Sequence, residues 1–519
     1  MHQTTGRWRV LTAGFAGILF FAACAGTTPT PIVITAAPVV QPTAQVITPG
    51  PVTQPTPVTV VITAPPVVQP TPQVITPVPI VTSPPIAAGP GPNGGVVVRW
   101  FIGLGAGTQP AQIGPEQAFI TAYNASQKDV YIQYEIVDNT QAANILKTEI
   151  AAGNAPDIIG PVGVEGLNIF RDQLMDLAPT IAKTGYTFTG VDPKLVDFFK
   201  LGNNGATVGV PFAVYPSFIY YNADLFKEAG LPTPPTKVGD LYDGKPWDVD
   251  ALRTLGMKLT VDNKGNDATS PNFDPTNIVQ WGFDSQFQDN SARAEDAFFG
   301  AGSFLADDGK TAQIPDYVKA GEAWFNAGVW TDHFIPTQNQ IASALLGAGG
   351  EFGSGNLAMD EGHTWFTCCV APPAPAKQFN FGFAINPLAN GAITSPLHAD
   401  TFSILSSTKV PDAAWKALTA MVSSADLLTT YGAMPADQTK QDAWFKSIDA
   451  GFPGIKLDWS VPQSMLAYPD VPNHQSWMPN YAKAKAALQA FQNKYRTTQG
   501  LDLNAEFTTL QTTLQGIFD

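Results

Sequence analysis

The sequence predicts an α/β protein of two lobes, preceded by a long segment that does not fold into a globular domain. No charged residue occurs between Cys24 and Arg99, and patterns of strands and helices alternate from Val96 onward. The stretch from Val96 to Asp519 is longer than one ordinary hydrophobic core supports. With 44% hydrophobic and 11% aromatic residues in the chain, two cores can be filled.

The N-terminus has the pattern of a bacterial lipoprotein signal peptide. Arg7 and Arg9 form a positive region, an apolar run extends to Phe21, and Cys24 follows two alanines. We expect residues 1–23 to be removed and Cys24 to carry the lipid that anchors the protein to the outer face of the cell membrane. Plain cleavage and an uncleaved anchor remain alternatives, because Phe21 stands where such signals usually have Leu. The apolar run is shorter than the roughly 20 residues that span a bilayer.

Residues 24–95 are expected to be a Pro/Thr-rich tether that is disordered. The run Val33 to Pro49 recurs almost unchanged as Val61 to Pro77. Proline fixes φ and removes a backbone donor, so this segment favours polyproline II over a sheet. At about 3.1 Å per residue it could hold a domain on the order of 200 Å from its anchor. A stalk through the cell envelope and a linker without function are both compatible with this composition.

Charge and cysteine content narrow the classes of ligand. The formal net charge of −15 becomes −17 once the leader, with its two arginines and no acid, is removed. This balance argues against nucleic acid and favours a neutral or cationic solute. We expect no metal and no cofactor. Cys368 and Cys369 are adjacent and lack the spacing of cysteines in zinc sites. These neighbouring thiols could form a vicinal disulfide or remain free and buried.

The first lobe begins with five alternating elements. Apolar periodicity and the positions of glycine and proline predict them in this order: a strand at 96–102, a helix at 115–126, a strand at 130–137, a helix at 140–152 and a strand at 156–159. Such an alternation implies a largely parallel sheet with helices on both faces. Ligands bind beyond the carboxyl ends of the strands of such sheets. We therefore expect the loops 103–112, which includes Gln109, and 160–165 to border a binding cleft.

The segment Val208 to Pro235 is the most specific part of the sequence. It reads VGVPFAVYPSFIYYNADLFKEAGLPTPP, which predicts a strand, a break at Pro216, a second strand and a short helix from Asn222 to Gly230. After a short insertion, Pro246-Trp247-Asp248 begins a helix through Leu252, Leu255 and Leu259. This succession resembles the hinge of the family 1 extracellular solute-binding proteins, the maltose-binding-like sugar receptors of ABC importers. The similarity extends through short motifs at 282–283, 300–302, 307–309, 355–359, 381–383 and 387–388.

The resemblance implies a two-lobed clamp of the type II periplasmic-binding-protein kind, in which the chain crosses the hinge three times. Crossings are expected near residues 215–217, 359–362 and 431–436. The predicted segments are 1–23 (signal peptide), 24–95 (tether), 96–216 (first lobe), 217–361 (second lobe), 362–432 (return to the first lobe) and 433–519 (C-terminal helices on the second lobe). The resemblance also implies an extracytoplasmic monomer that passes a sugar to the permease of an ABC importer.

Candidate ligand-binding residues lie near these crossings. Family members bind sugars by stacking aromatic rings on pyranose faces and pairing hydroxyls with polar side chains. Tyr215 stands where the family places a ligand contact, although packing in the hinge is an alternative. Beside the second crossing we expect one ring, Trp365, to stack, with His363, Asp360 and Glu361 providing polar contacts. Trp477 lies where the family returns an aromatic loop to the cleft, and a core position is equally compatible with it.

The sequence contains no arrangement that supports catalysis. Asp360 and Glu361 are adjacent and point in different directions, whereas a glycosidase needs two facing carboxyls. His363, His398 and His474 are far apart in the sequence and are not expected to form a metal site. We therefore expect a binding protein. A receptor for a peptide or a polyamine is the first alternative, and a secreted carbohydrate-active enzyme is the second.

Overall fold

The computed structural model describes residues 89–201, 205–285, 295–347, 351–368, 370 and 379–519. The leader and most of the expected tether lie outside this range. The described strands are β1 (Val96–Ile102), β2 (Val130–Ile136), β3 (Ile158–Gly163), β4 (Lys200–Leu201), β5 (Ala206–Thr207), β6 (Val210–Asn222), β7 (Leu241–Tyr242), β8 (Lys245–Pro246), β9 (Val261–Asp262), β10 (Ile278–Gln280), β11 (Asp284–Ser285), β12 (Met359–His363), β13 (Phe381–Ala384) and β14 (Leu397–Ile404).

The helices of the first two thirds of the described chain are α1 (Pro110–Ser126), α2 (Asn139–Ala151), α3 (Val164–Phe170), α4 (Ala178–Thr184), α5 (Pro193–Phe198), α6 (Ala223–Ala229), α7 (Val249–Leu259), α8 (Asp316–Trp330) and α9 (Gln338–Ile341). Those that follow are α10 (Pro411–Val422), α11 (Ala425–Thr430), α12 (Gln441–Asp449), α13 (Ser460–Met465), α14 (Tyr481–Thr497) and α15 (Leu503–Phe518).

The long strand β6 connects two half-sheets, and each half-sheet is the centre of one lobe. Its first half, up to Pro216, pairs with β14, and the order continues through β3 and β1 to β2. Its second half, from Ser217, pairs with β12 on one edge and β13 on the other, and β11 lies beyond β12. The chain therefore crosses between the lobes at Pro216–Ser217, where we predicted the first crossing. The prediction of a break at Pro216 is wrong, because the strand continues while its partners change.

The second crossing differs from our prediction. β12 runs antiparallel to β6 toward the hinge, ending where His363 faces Ser217. The chain then returns to the second lobe, because Phe381–Ala384 pairs with the residues 219–222 of β6. It enters the first lobe only at β14, where Leu397 faces Pro216. The assignment of residues 362–432 to the first lobe is thus wrong for the part around β13.

Near the third crossing, the chain still lies against the first half of β6. The Val214 N–H donates to the Met434 carbonyl, and the Ala436 N–H donates to the Phe212 carbonyl. Further on, Trp459 packs against Phe383 of β13, with ring centroids 5.2 Å apart. The chain therefore passes to the second lobe after Ala436.

The first half-sheet is buried on both faces. Val98, Trp100 and Ile102 of β1 pack into one apolar cluster with α10 and α11, whereas Phe101 packs into the other cluster. Alternate side chains of a strand point to opposite faces, so a strand covered on both sides reads as one continuous apolar run. This is why the run from Val96 to Ile102 carries no polar alternation apart from Arg99.

Local capping explains the predicted helices of the hinge segment. The Asn222 side chain accepts hydrogen bonds from the N–H groups of Asp224 and Leu225, and α6 ends at Gly230, whose φ is 67°. Asp248 accepts from the Ala251 N–H and begins α7. Both helices are confirmed where the sequence predicted them. Trp247 and Trp415 are buried in the core, and Trp324 is half-buried against it.

The folded part of the chain begins before Val96, which corrects the predicted end of the tether at residue 95. Asn93 donates its side-chain amide to the carbonyls of Asn124, Gln127 and Val130, at 2.9 to 3.1 Å. The Gly91 N–H donates to the Gly95 carbonyl. These bonds bind residues 91–95 to the end of α1 and the start of β2. The expectation of disorder therefore does not hold for these five residues.

Candidate functional site

Four ring side chains meet where the chain first crosses between the lobes. The rings of Trp365 and His363 are stacked, with centroids 4.2 Å apart and planes at 12°. Tyr215 lies 4.9 Å from Trp365, between centroids, and its plane is tilted by 58°. His398 presents an edge to Trp365 at 4.9 Å and to His363 at 4.7 Å. We call these four residues the ring cluster.

Strand register explains why these residues meet. His398 of β14 lies directly across from Tyr215 of β6, and His363 of β12 lies across from Ser217 on the other edge of β6. Trp365 follows in a 3-10 helix, Thr364–Cys368, immediately after β12. Three strands from different parts of the chain thus bring their rings to the same few residues of β6. Trp365 is half-buried, and its neighbour Phe366 is buried.

Tyr215 is a hydrogen-bond donor in this cluster. Its hydroxyl donates to Oδ2 of Asp400 at 3.4 Å, and only 4% of the residue is exposed. Burial, together with the nearby Asp400 carboxylate, raises the pKa of Tyr215 well above its ordinary value. The hydroxyl therefore keeps its proton. Asp400 was not among the predicted site residues.

Asp470, His474 and His398 form a buried chain of hydrogen bonds that ends at the ring cluster. Nδ1 of His474 lies 2.6 Å from Oδ2 of Asp470, and Nε2 of His474 lies 3.1 Å from Nε2 of His398. His363, His398 and His474 are far apart in the sequence, but the fold brings them together. No feature of the sequence indicates this contact, which depends on the register of β14 and on the loop 469–477. Within the described ranges, no group of three His, Cys, Asp or Glu side chains could hold a metal ion.

Asp360 and Glu361 are buried on β12, the strand that ends at His363. They are 2% and 3% exposed, and Glu361 accepts a hydrogen bond from the Ser285 hydroxyl at 2.8 Å. Burial raises the pKa of Asp360 well above its ordinary value, and the nearby acids Asp284, Glu351 and Glu361 add to this. Their role in binding ligand stays a prediction.

Arg496 neutralises part of this buried acidic group. Its guanidinium donates to Oδ1 of Asp284 at 2.7 Å, and both side chains are almost fully buried. Burial nevertheless raises the pKa of Asp284 to about 6, against the effect of the arginine.

Trp477 lies at the end of the loop 469–477, and a cation covers one of its faces. The guanidinium carbon of Arg171 is 4.0 Å from the Trp477 ring centroid. In the same region, the Asn168 side chain donates to the Gln475 carbonyl at 2.6 Å, and Lys485 pairs with Glu165 at 2.5 Å. Residues 165–171 follow β3 of the first lobe. These three contacts therefore join the first lobe to the C-terminal part of the chain.

The two loops predicted to border a cleft lie against each other. A Cβ atom at Gly105 would come within 2.6 Å of the Pro161 carbonyl oxygen, so a side chain at Gly105 would push the loops apart. Gln109 is exposed at the start of α1, and its backbone N–H donates to the Gln112 side chain at 3.3 Å. Gln109 makes no described contact with the ring cluster.

Glu116 is a buried acid that the sequence analysis missed. It is 0% exposed, lies beside Gly107 and the Tyr431 hydroxyl, and has no well-formed hydrogen bond to any described residue. Burial raises its pKa to about 8, and the Tyr431 hydroxyl opposes part of this rise. Tyr431 in turn lies close enough to Tyr215 to interact electrostatically. A lone Glu in the first turns of an amphipathic helix gives no sign of such burial.

Two further expectations concern side chains outside the described part of the protein. These are the lipidation of Cys24 and the pairing of Cys368 with Cys369. Across the described residues, no helix has the length and apolar character needed to cross a bilayer.

The two half-sheets joined by β6, with ring side chains at their junction, define a two-lobed α/β binding protein. Residues 106–426 match the bacterial extracellular solute-binding protein family, and the chain belongs to that family. Its members are binding proteins of the extracytoplasmic space.

Comparisons with individual proteins agree with this assignment. The chain is 27% identical over 137 residues to a putative binding protein of Brucella abortus (strain 2308). This aligned region covers 26% of this chain and 31% of the relative. The chain therefore spans about a third of the length of the curated relatives that it matches. The crystal structure of M. tuberculosis UspC is similar over 81% of this chain and 100% of UspC, with a TM-score of 0.61 and 23% identity. The cyclic alpha-maltosyl-1,6-maltose binding protein of Arthrobacter globiformis is similar over 82% and 99%, with a TM-score of 0.58 and 18% identity.

Proposed function

We propose that this protein is a carbohydrate receptor that closes around its ligand and delivers it to an ABC importer in the cell membrane. The observation that carries the proposal is the ring cluster at the first crossing. Trp365 keeps part of its surface exposed there, beside the protonated hydroxyl of Tyr215.

The chemistry of this cluster suits a sugar. A pyranose ring has a C–H face that packs on an aromatic plane and hydroxyls that need hydrogen-bond partners once they leave water. In the proposal, Trp365 stacks on the sugar, while Tyr215 and His363 line the same wall. Asp360, Glu361, Trp477 and Gln109 remain proposed contacts that closure would have to bring to the ligand. The structural relative from Arthrobacter globiformis, named for a maltosyl ligand, supports the same class of solute.

A cationic solute is the second candidate. The net charge of −15 favours a polyamine or a basic peptide over an anion.

A thermal-shift panel on the full chain separates the two candidates. A ligand that binds only the folded state at 100 times its Kd stabilises that state by about 2.7 kcal/mol. We expect neutral oligosaccharides or monosaccharides to raise the Tm in proportion to the logarithm of their concentration. A rise with spermidine or a basic tripeptide alone would refute the carbohydrate proposal. Chromatography of the sugar after prolonged incubation should recover it unchanged, and the appearance of shorter products would instead indicate an enzyme.

The proposed location follows from the N-terminus. We propose that lipid on Cys24 holds the protein at the outer face of the membrane, with residues 24–90 as the tether. The folded receptor is proposed to act as a monomer, since one pair of lobes encloses one ligand.

A further inference from the structure

The hydrogen-bonded chain from Asp470 to His398 joins the loop 469–477 to the first lobe. Besides its contact with the imidazole, Asp470 accepts hydrogen bonds from the backbone N–H groups of His474, at 2.6 Å, and Leu397, at 2.8 Å. The Asn473 side chain donates to the Leu397 carbonyl at 2.8 Å. Asp470, His474 and His398 are 1%, 3% and 7% exposed. The loop is therefore attached at the residue next to His398.

The two imidazoles share at most one proton on the nitrogens that face each other. Because Asp470 accepts a hydrogen bond from Nδ1 of His474, Nε2 of His474 is an acceptor when this ring is neutral, and His398 donates to it. If one proton is added at Nδ1 of His398, the proton between the rings moves to Nε2 of His474, beside Asp470, so that His474 becomes the donor and His398 the acceptor. If a second is added, two N–H groups point at each other across 3.1 Å and both rings are positive. The contact then has to break.

His398 contacts the other side chains of the ring cluster, so a change in its protonation affects them directly. Its imidazole makes edge contacts with Trp365 and His363 and lies opposite Tyr215 across the strand pair. The other ionisable groups facing it from packed elements are Asp470 in the loop, His363 on β12, and Asp400, which accepts from Tyr215. Beyond the loop, Arg171 lies over Trp477.

We propose that Asp470, His474 and His398 are positioning residues, which hold Trp365 in its ligand-stacking orientation only while the facing nitrogens carry no more than one proton. This rests on the proposed function, because it assigns the ligand to Trp365. The receptor thus binds its ligand tightly near neutral pH and loses affinity in acid, where imidazoles become charged.

Calorimetric titration of the full chain between pH 4.5 and 8 tests the proposal, with a sugar that the thermal-shift panel has identified. We expect the Kd to be constant near pH 8 and to rise about tenfold for each pH unit on the acid side, the slope produced by uptake of one proton. His398→Gln keeps a hydrogen-bonding group at the position of Nε2 but cannot become positive. Its Kd should lose the acid-side slope, whatever its value at pH 8. A wild-type Kd that does not vary with pH, or an unchanged slope in His398→Gln, overturns the proposal.

A control and a second readout keep the result interpretable. His333 lies away from the ring cluster, with φ at 60°, where Asn is tolerated. His333→Asn should keep the full acid-side slope, and loss of the slope in this variant also overturns the proposal. NMR of the imidazole nitrogens in the unliganded protein follows protonation without any ligand. The NMR titration should show two coupled protonation steps for His398 and His474. Fluorescence of Trp365, measured in parallel, should change at the second step. Independent titration of the two histidines, or no change at Trp365, would refute the positioning role of these residues even if no sugar of the panel binds. The absence of binding by itself would count only against the proposed function.

Discussion

The guanidinium group of Arg171 lies over the ring of Trp477, 4.0 Å from its centroid, although the two residues belong to distant parts of the chain. Arg171 follows α3 of the first lobe, and Trp477 ends the loop that precedes α14, which packs on α8 of the second lobe. Together with the Asn168–Gln475 and Glu165–Lys485 contacts, this pair holds the first lobe against the C-terminal part of the chain. Opening of a cleft between them would have to separate these contacts.

Arg171→Ala is therefore expected to weaken ligand binding by favouring the open form. A cation over an aromatic face contributes about 0.5 to 2 kcal/mol, which corresponds to roughly 2- to 30-fold in Kd. Stopped-flow fluorescence should report the loss mainly as faster dissociation. Lys183→Ala, which removes an exposed ion pair with Asp412, serves as the control and should leave Kd unchanged. Equal dissociation rates in wild type and Arg171→Ala would contradict a role in closure.

Trp477→Ala distinguishes closure from direct stacking on the ligand. If Trp477 also touches the sugar, its removal costs roughly 1 to 4 kcal/mol of binding and exceeds the effect of Arg171→Ala. We expect this larger loss. Isothermal titration of both single variants and of the double variant measures it, and equal losses in all three would indicate that Trp477 acts only through Arg171.

Trp365→Ala should impair binding, whereas Trp100→Ala should impair folding. Trp365 is half-buried at the ring cluster. Trp100 is 0% exposed, and its indole N–H donates to the Gly160 carbonyl at 2.7 Å. We expect Trp365→Ala to lose at least tenfold in affinity with a small change in stability, and Trp100→Ala to lose about 3 to 5 kcal/mol of stability. Chemical denaturation measures stability and calorimetry measures affinity on the same preparations. A large loss of stability in Trp365→Ala with normal affinity would contradict the prediction.

Glu116 should make the stability of the protein depend on pH. Its pKa rises from 4.5 to about 8 on folding, so its charged form is disfavoured in the folded state. The stabilising contribution of the proton is complete below about pH 4.5 and is lost as the pH rises toward 8. Relative to wild type, Glu116→Gln should gain stability by up to about 1.4 kcal/mol per pH unit across this window.

Urea denaturation at several pH values measures this difference. Tyr431→Phe removes the hydroxyl that lowers the pKa of Glu116. The free energy of unfolding of this variant should therefore keep falling up to a higher pH than that of the wild type. A constant difference between Glu116→Gln and wild type across the window would refute a raised pKa.

Cys24→Ser is expected to release the protein from membranes. The prediction depends on the apolar run that ends in Ala-Ala-Cys. Metabolic labelling with an alkyne fatty acid should mark the wild type and leave Cys24→Ser unmarked, and detergent phase separation should move the variant to the aqueous phase. A variant that remains in the detergent phase indicates a different anchor.

The sequence predicted the local elements well where their causes are local. The cap of α6 at Asn222, its end at Gly230 and the start of α7 after Asp248 all depend on side chains within a few residues. The end of the tether was predicted too late, because Asn93 is held by carbonyl groups more than thirty positions away. The second crossing was also misplaced, since the pairing of β13 with β6 leaves no mark in either strand.

The candidate site likewise contains residues that the sequence predicted and residues that only the structure revealed. Tyr215, His363 and Trp365 were predicted from the hinge segment and its neighbours, and they lie together. Asp400, Asp470 and Glu116 were not predicted, and neither were the contacts of His398 with His363 and His474. Periodicity reports which face of a strand is apolar, but it does not report which side chain from another strand lies opposite.

The sequence by itself determined the α/β class, the family and the position of the hinge segment, because composition, periodicity and capping act over short distances along the chain. Only the tertiary structure decided that His398 meets His474, that Arg171 covers Trp477 and that Glu116 is buried beside Tyr431. Each of these pairs joins segments separated by tens to hundreds of residues. Strand register and packing bring them together, and the burial that results raises the pKa of Glu116.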